Sequence, residues 1–210
     1  MTDSTAVTAF KQNKMIFAAC AVTLVCLASV GHSASLACEE LVRSLDQLDP
    51  RHLEGKWALV AGSLSHPPFL ERFKQRDRAS VNFFSNTSDN SIFYTRSIRL
   101  EDKCQYSSYN ISLEGSGFTF DGTDKSNLSA NFVHTLCHDC MLMRMNVDSG
   151  ARQHFYLFSK RRQLEQREME DFRAQVECLN MPPPVVMDPT KDLCPEQKTS
   201  DPEDQTEKTT

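Results

Sequence analysis

The chain has 210 residues, 40% hydrophobic and 24% charged, with a net charge of −5 and eight cysteines. It is too apolar to be wholly disordered and of a size for one compact domain. An acidic chain without a basic cluster argues against a nucleic-acid partner, because Lys and Arg on phosphate dominate that affinity.

Near the N-terminus an apolar run, Met15 to Val30, follows Lys11 and Lys14 and precedes the small residues Gly31-His32-Ser33-Ala34-Ser35. This is the layout of a secretory signal peptide, with cleavage after Ser33 or Ser35. The run is shorter than the roughly 20 apolar residues of a membrane span. Residues 1–35 are therefore expected to be a signal peptide with an N-terminal extension, Met15 being a second start codon that the sequence leaves open. Their removal takes away Lys11, Lys14 and Asp3 and leaves the remainder one unit more acidic than the whole chain.

Six cysteines remain after cleavage: Cys38, Cys104, Cys137, Cys140, Cys178 and Cys194. An even number in a secreted chain implies disulfides, with 15 connectivities open. Cys137-His138-Asp139-Cys140 lies between two apolar runs, so His138 and Asp139 fit a hairpin turn with the cysteines facing each other. A redox CxxC needs a helix N-terminus in a βαβ context, and a zinc site needs a second ligand pair. Neither is visible, so a local Cys137–Cys140 disulfide is expected and no metal.

From Gly55 to Lys160 short β runs alternate with turn signals: 56–63, 79–86, 91–100, 104–113, 117–121, 129–136, 140–147 and 152–159. Eight strands with short links predict an all-β, up-and-down antiparallel barrel, which leaves no sheet edge and has room for one small ligand. Met169, Phe172, Val176 and Leu179 then predict one amphipathic helix over 162–179, ended by Pro182-Pro183-Pro184. Residues 36–194 are the expected domain, and 195–210, poor in large apolar residues, a disordered tail. Asn86, Asn110 and Asn127 head N-glycosylation sequons, Asn86 at a turn and the other two on the outer wall or rim.

Strand period two sorts the wall. In 91–100 the face carrying Ile92, Tyr94, Arg96, Ile98 and Leu100 should point inward, making Arg96 either a polar handle for a ligand or a snorkelling residue at the mouth. Ala79, Val81 and Phe83 share one face, as do His154, Tyr156 and Phe158. In 140–147 periodicity favours Met141, Met143 and Met145 inside, whereas Leu142 and Arg144 remain the alternative.

Gly55-Lys56-Trp57 opens the first strand with the single tryptophan. A G-x-W opening such a barrel, followed by one C-terminal helix, resembles the lipocalin family, with Gly55 and Trp57 at the barrel floor. The stretches Ser91-Ile92-Phe93, Asp102-Lys103-Cys104-Gln105-Tyr106, Glu177-Cys178-Leu179 and Lys191-Asp192-Leu193-Cys194 are similar to the α1-acid glycoprotein (orosomucoid) type. Apolipoprotein M and the pufferfish saxitoxin- and tetrodotoxin-binding proteins are similar in the same way. The resemblance implies Cys38–Cys178 and Cys104–Cys194 disulfides and a pocket lined by Val81, Phe83, Tyr94, Arg96, Tyr156 and Phe158. In two respects the chain departs from that pattern. Cys137 and Cys140 are additional, and the cation that covers the tryptophan in many lipocalins could be Lys160, Arg161 or Arg162.

These observations lead to a secreted, monomeric carrier of a small lipophilic or amphiphilic ligand in a plasma-like fluid, without cofactor and without enzymatic activity. The rival classes are an immune-modulating acute-phase glycoprotein acting through its surface, a toxin binder, and a lipoprotein-associated sphingolipid carrier. Retention of residues 1–35 would favour lipoprotein or membrane association.

Overall fold

The computed structural model describes residues 37–86, 91–121 and 128–196. The chain divides into two units, Met1–Arg43 and Ser44–Thr210. In the first, residues 37–41 form a helical turn, with the Val42 N–H donating to the Cys38 carbonyl at 3.1 Å. The expected signal peptide, sequon Asn127 and the tail from residue 197 lie outside the described residues.

The second unit is a closed antiparallel barrel of eight strands: β1 (Gly55–Leu64), β2 (Arg78–Asn86), β3 (Ser91–Leu100), β4 (Lys103–Glu114), β5 (Gly117–Phe120), β6 (Ser129–Val133), β7 (Cys140–Val147) and β8 (Arg152–Ser159). Each strand pairs with its sequence neighbours, and β1 pairs with both β2 and β8 to close the ring. A two-residue β9 (Val185–Val186) runs along the outside of β1 at Ala61 and Gly62.

Burial follows what covers each wall. In β4 solvent-exposed residues recur between inward ones, because its outer face meets water. In β1, Trp57 through Leu64 are all buried, because both faces are covered. Its register against β8 shifts between Leu59 and Ala61. This bulge puts the consecutive Val60 and Ala61 into the outer core while Leu59 joins the inner one.

The outer core lies under α3 (Gln166–Cys178), which begins later than the expected 162. Its start is fixed by a capping box, in which Glu165 caps the N3 backbone and the Glu168 carboxylate accepts from the Glu165 N–H at 2.8 Å. Met169, Phe172 and Val176 form one apolar stripe packed on Val60, Leu142, Phe155 and Leu157. The Phe155 and Phe172 rings stack at 5.3 Å.

Two further helices were not legible in the sequence. The one-turn α1 (Pro50–Leu53) is capped by the Asp49 side chain, which accepts from the Arg51 N–H. In the long β1–β2 connection lies α2 (Pro67–Lys74), started by proline in its first turn. In β7 the register decides between the two faces: Met141, Met143 and Met145 belong to the inner core and Leu142 to the outer one, while Arg144 donates to the Gln153 side chain at 3.0 Å.

Candidate ligand cavity

The two ends of the barrel are built differently. At the end where β1 begins, Gly55 adopts φ +92°, open to glycine but strained for other residues. This turn lets the Lys160 Nζ donate to the Glu54 carbonyl at 2.9 Å and lie 3.9 Å from the centre of the Trp57 ring. Of the three candidate cations, Lys160 is the one that covers the tryptophan. The indole N–H donates to the Leu53 carbonyl at 2.7 Å, tying α1 to the floor.

Above the floor the interior is filled. Phe83, opposite Gly55 in the β1–β2 pairing, lies 5.2 Å from Tyr94, 5.9 Å from Phe118 and 6.4 Å from Phe132, ring centre to ring centre. Phe120 closes the cluster at 5.6 Å from Tyr94. Edge-on and tilted contacts of this kind are favourable for aromatic quadrupoles.

Beyond this aromatic layer, toward α2, a cavity of about 360 Å³ opens. Its walls are Leu59, Leu64, Ala79, Val81, Tyr94, Met145, Val147, Tyr156 and Phe158, and α2 supplies Phe69 and Arg72. The size falls at the lower end of the roughly 300–1,000 Å³ of small-molecule sites. Five of the six residues implied by the resemblance meet here: Val81, Tyr94, Arg96, Tyr156 and Phe158. The sixth, Phe83, points inward but packs in the aromatic layer and does not line the cavity. Strand parity gives a residue's face and says nothing of its height along the barrel.

The helix packs on this end through Phe73, fully buried and 5.8 Å from the Tyr156 ring. It fits only because Gly62 has no side chain: a Cβ there would come within 2.6 Å of the Phe73 Cζ. Phe69 sits between His66 at 5.3 Å and His154 at 6.0 Å, with the Arg72 and Arg152 guanidinium carbons 4.7 and 4.6 Å from its ring centre.

Guanidinium groups dominate the cavity's polar lining, Arg72, Arg76 and Arg96, joined by the imidazole of His154, with no carboxylate among its described residues. Arg152 is ion-paired with Asp148. The Arg96 Nε and the His154 Nε2 have no hydrogen-bond partner. Burial lowers the pKa of Arg76, and neighbouring Arg96 adds to this. Burial raises Tyr94 and Tyr156, keeping both phenols neutral donors. His154 is held down to about 4, first by burial and then by Arg76, Arg152 and Arg96.

Two other hollows differ in character. One of about 370 Å³ lies at the floor end between α1 and the β6–β7 hairpin, and includes Trp57, Leu48 and Met141. Another of about 400 Å³ lies along Lys56, Thr95, Ser108 and Glu196, and Ser80 and Arg96 border this hollow as well as the cavity.

All six cysteines of the described residues are disulfide-bonded. Cys104 is bonded to Cys194 and Cys137 to Cys140. The donor atoms of Cys137, Cys140, Asp139 and Glu168 lie within 4.8 Å of one another, but the sulfurs bond each other and Arg161 holds both carboxylates at 2.5 to 2.9 Å. The Arg161 hydrogen bonds lower the pKa of Asp139 and Glu168. Asn110 is exposed on the outer face of β4, and Asn86 ends β2 opposite Ser91.

A closed eight-stranded barrel, one C-terminal helix and an apolar cavity under one end define the lipocalin fold. The siderocalin Ex-FABP, which functions through dual ligand specificities, superposes with a TM-score of 0.53 at 14% identity, over 70% of this chain and 97% of that one. Residues 32–197 match the ApoM domain, so the chain belongs to the ApoM-domain family. No curated protein matches it.

Proposed function

We propose that this protein binds and transports one small amphiphilic molecule in the barrel, with its apolar part against Val81, Tyr94, Tyr156 and Phe158 and an acidic head group toward Arg96 and Arg76. The observation that carries this is the pairing of an apolar cavity with converging cations that face no carboxylate among its described lining residues. An apolar guest gains from leaving water, and a few fixed polar groups set its orientation. Among the ligand types open to such a carrier, a phosphate-bearing lipid fits this charge pattern. A guanidinium toxin would need carboxylates, and neutral or basic drugs would leave the guanidinium groups unused.

The same proposal makes the protein a secreted, monomeric, orosomucoid-like carrier, with residues 1–35 as the signal peptide, Cys38 paired with Cys178, and glycans on Asn86, Asn110 and Asn127. Lipocalin enzymes that isomerise their ligands use a free thiol, and the described residues offer none. Native mass spectrometry of the protein secreted from cultured cells tests the assignment. One acidic lipid per chain, lost in an Arg96→Gln variant, supports it. A ligand-free protein that also fails to take up long-chain phosphates or carboxylates overturns it.

A further inference from the structure

His154 deepens the acidic-guest proposal, and its role rests on that proposal. We propose that His154 takes up a proton from solvent when an acidic head group enters the cavity, making it the residue that matches the charge of the site to the charge of its guest.

The geometry favours a group that switches. His154 stands on β8 and lines the cavity. Its Nδ1 lies 3.1 Å from the Tyr156 hydroxyl, whereas its Nε2 has no hydrogen-bond partner. A neutral imidazole carries one N–H and one lone pair, but an imidazolium donates from both nitrogens. Protonated, it donates through Nδ1 to the Tyr156 oxygen and through Nε2 to an oxygen of the guest. One proton moves from solvent to the ring and no other covalent bond changes; where the neutral Nδ1 accepted from the Tyr156 hydroxyl, that hydrogen bond reverses.

The charges around the ring come from every element packed on it. Arg76 follows α2, Arg96 stands on β3, and Arg152 stands on β8 with Asp148 as its ion-pair partner. Arg72 on α2 and His66, the residue before that helix, both pack on the Phe69 ring that faces His154. Tyr156 is kept neutral by burial. Burial first, then Arg76, Arg152 and Arg96, oppose a further positive charge, so the imidazole is neutral down to a pH of about 4. An anionic oxygen placed among Arg76 and Arg96 reverses the balance, because an opposite charge at about 4–6 Å favours the ionised form.

The His154 pKa is thereby higher in the complex than in the free protein, so binding strengthens as pH falls through the complex's pKa. The gain reaches at most about tenfold per pH unit, and levels off below the free protein's value of about 4. A neutral guest causes no such uptake, so discrimination between acidic and neutral guests widens in mildly acidic fluid.

Decanesulfonate and decanol are suitable probes, since neither titrates in this range. Calorimetry at pH 5.5 in two buffers of different ionisation enthalpy reads the proton count directly. The expected result is uptake of up to one proton with decanesulfonate, none with decanol, and none with decanesulfonate in a His154→Asn variant that still binds decanol. In the unmutated protein, the His154 ring carbon resonance should move to its imidazolium position on adding decanesulfonate at pH 6. Binding of decanesulfonate without proton uptake, or uptake unchanged in His154→Asn, overturns the inference while leaving the acidic-guest proposal intact. Failure of decanesulfonate to bind at all overturns that proposal and this inference with it.

Discussion

Arg96 is a guanidinium set in the wall of a mostly apolar cavity. It shares the inward face of β3 with Tyr94 and Ile98, and its Nε has no partner. No carboxylate shares the cavity lining with it among the described residues, which leaves the guanidinium for an anionic guest to meet. Arg96→Gln is expected to weaken binding of a long-chain phosphate ten- to a hundredfold, about 1.4–2.8 kcal/mol, while binding of the matching alcohol stays within a factor of three. Titration of both ligands by calorimetry checks this. Gly62 makes the opposite case, in which the absence of atoms matters. Gly62→Ala sets a methyl against Phe73 and Tyr156, and overpacking of this kind costs about 1–3 kcal/mol, readable as a lower urea midpoint.

Side-chain parity makes several of these residues legible. Tyr94, Arg96 and Ile98 alternate along β3, and in β8 Tyr156 and Phe158 of the inner core alternate with Phe155 and Leu157 of the outer one. Parity does not give height, so it groups Phe83 with the cavity although that ring packs among Phe118, Phe132 and Tyr94. Nor does it reveal Arg76, which lies in a connection and has no strand period. Phe69 and Phe73 are hidden for the same reason.

Of the two helices that strand patterning misses, α2 is the one at the cavity. Eight residues opening with two prolines offer too little periodicity to distinguish a helix from a loop, yet this helix sets the entrance. Phe73→Ala is expected to remove about 3–5 kcal/mol and, by loosening α2, to speed ligand release, which stopped-flow displacement of a fluorescent fatty acid would follow. At the other end, Arg161 ties the β7 entry to α3 through Asp139 and Glu168. Both carboxylates titrate below their ordinary values of 3.8 and 4.5 because of Arg161. The stability they add is complete above those values and is lost as pH falls through the lower folded ones. Denaturation of Arg161→Met should therefore differ from the unmutated protein at pH 7, with the gap closing toward pH 2.

The crosslinks act in proportion to the chain they close. Cys104 and Cys194 are 90 residues apart and Cys137 and Cys140 only 3. On the chain-entropy relation the first contributes about 4–5 kcal/mol and the second about 2. Paired serine substitutions, compared by urea unfolding, should rank in that order. The local pairing is readable from the hairpin, whereas the long one comes only from the family resemblance, since spacing alone leaves 15 connectivities.

For the barrel as a unit, the sequence discloses the number, order and approximate ends of the strands, because turn residues punctuate it regularly. It does not disclose that the interior is divided into an aromatic layer above Trp57 and a cavity beneath α2. That division depends on which large side chains meet across the ring, a property of shear and register that linear order does not carry. The cavity is therefore shorter than the barrel, and a guest's chain stops at Tyr94 or displaces the ring.

The most direct measurement is a competition between two C12 amphiphiles of opposite charge, dodecyl phosphate and dodecyltrimethylammonium, each below its micelle concentration, against one fluorescent fatty acid. If the cations of the α2 end select the guest, dodecyl phosphate displaces the probe at one equivalent per chain and the ammonium compound needs at least tenfold more. Equal displacement by both, or a preference for the ammonium compound, would contradict a site built for acidic head groups.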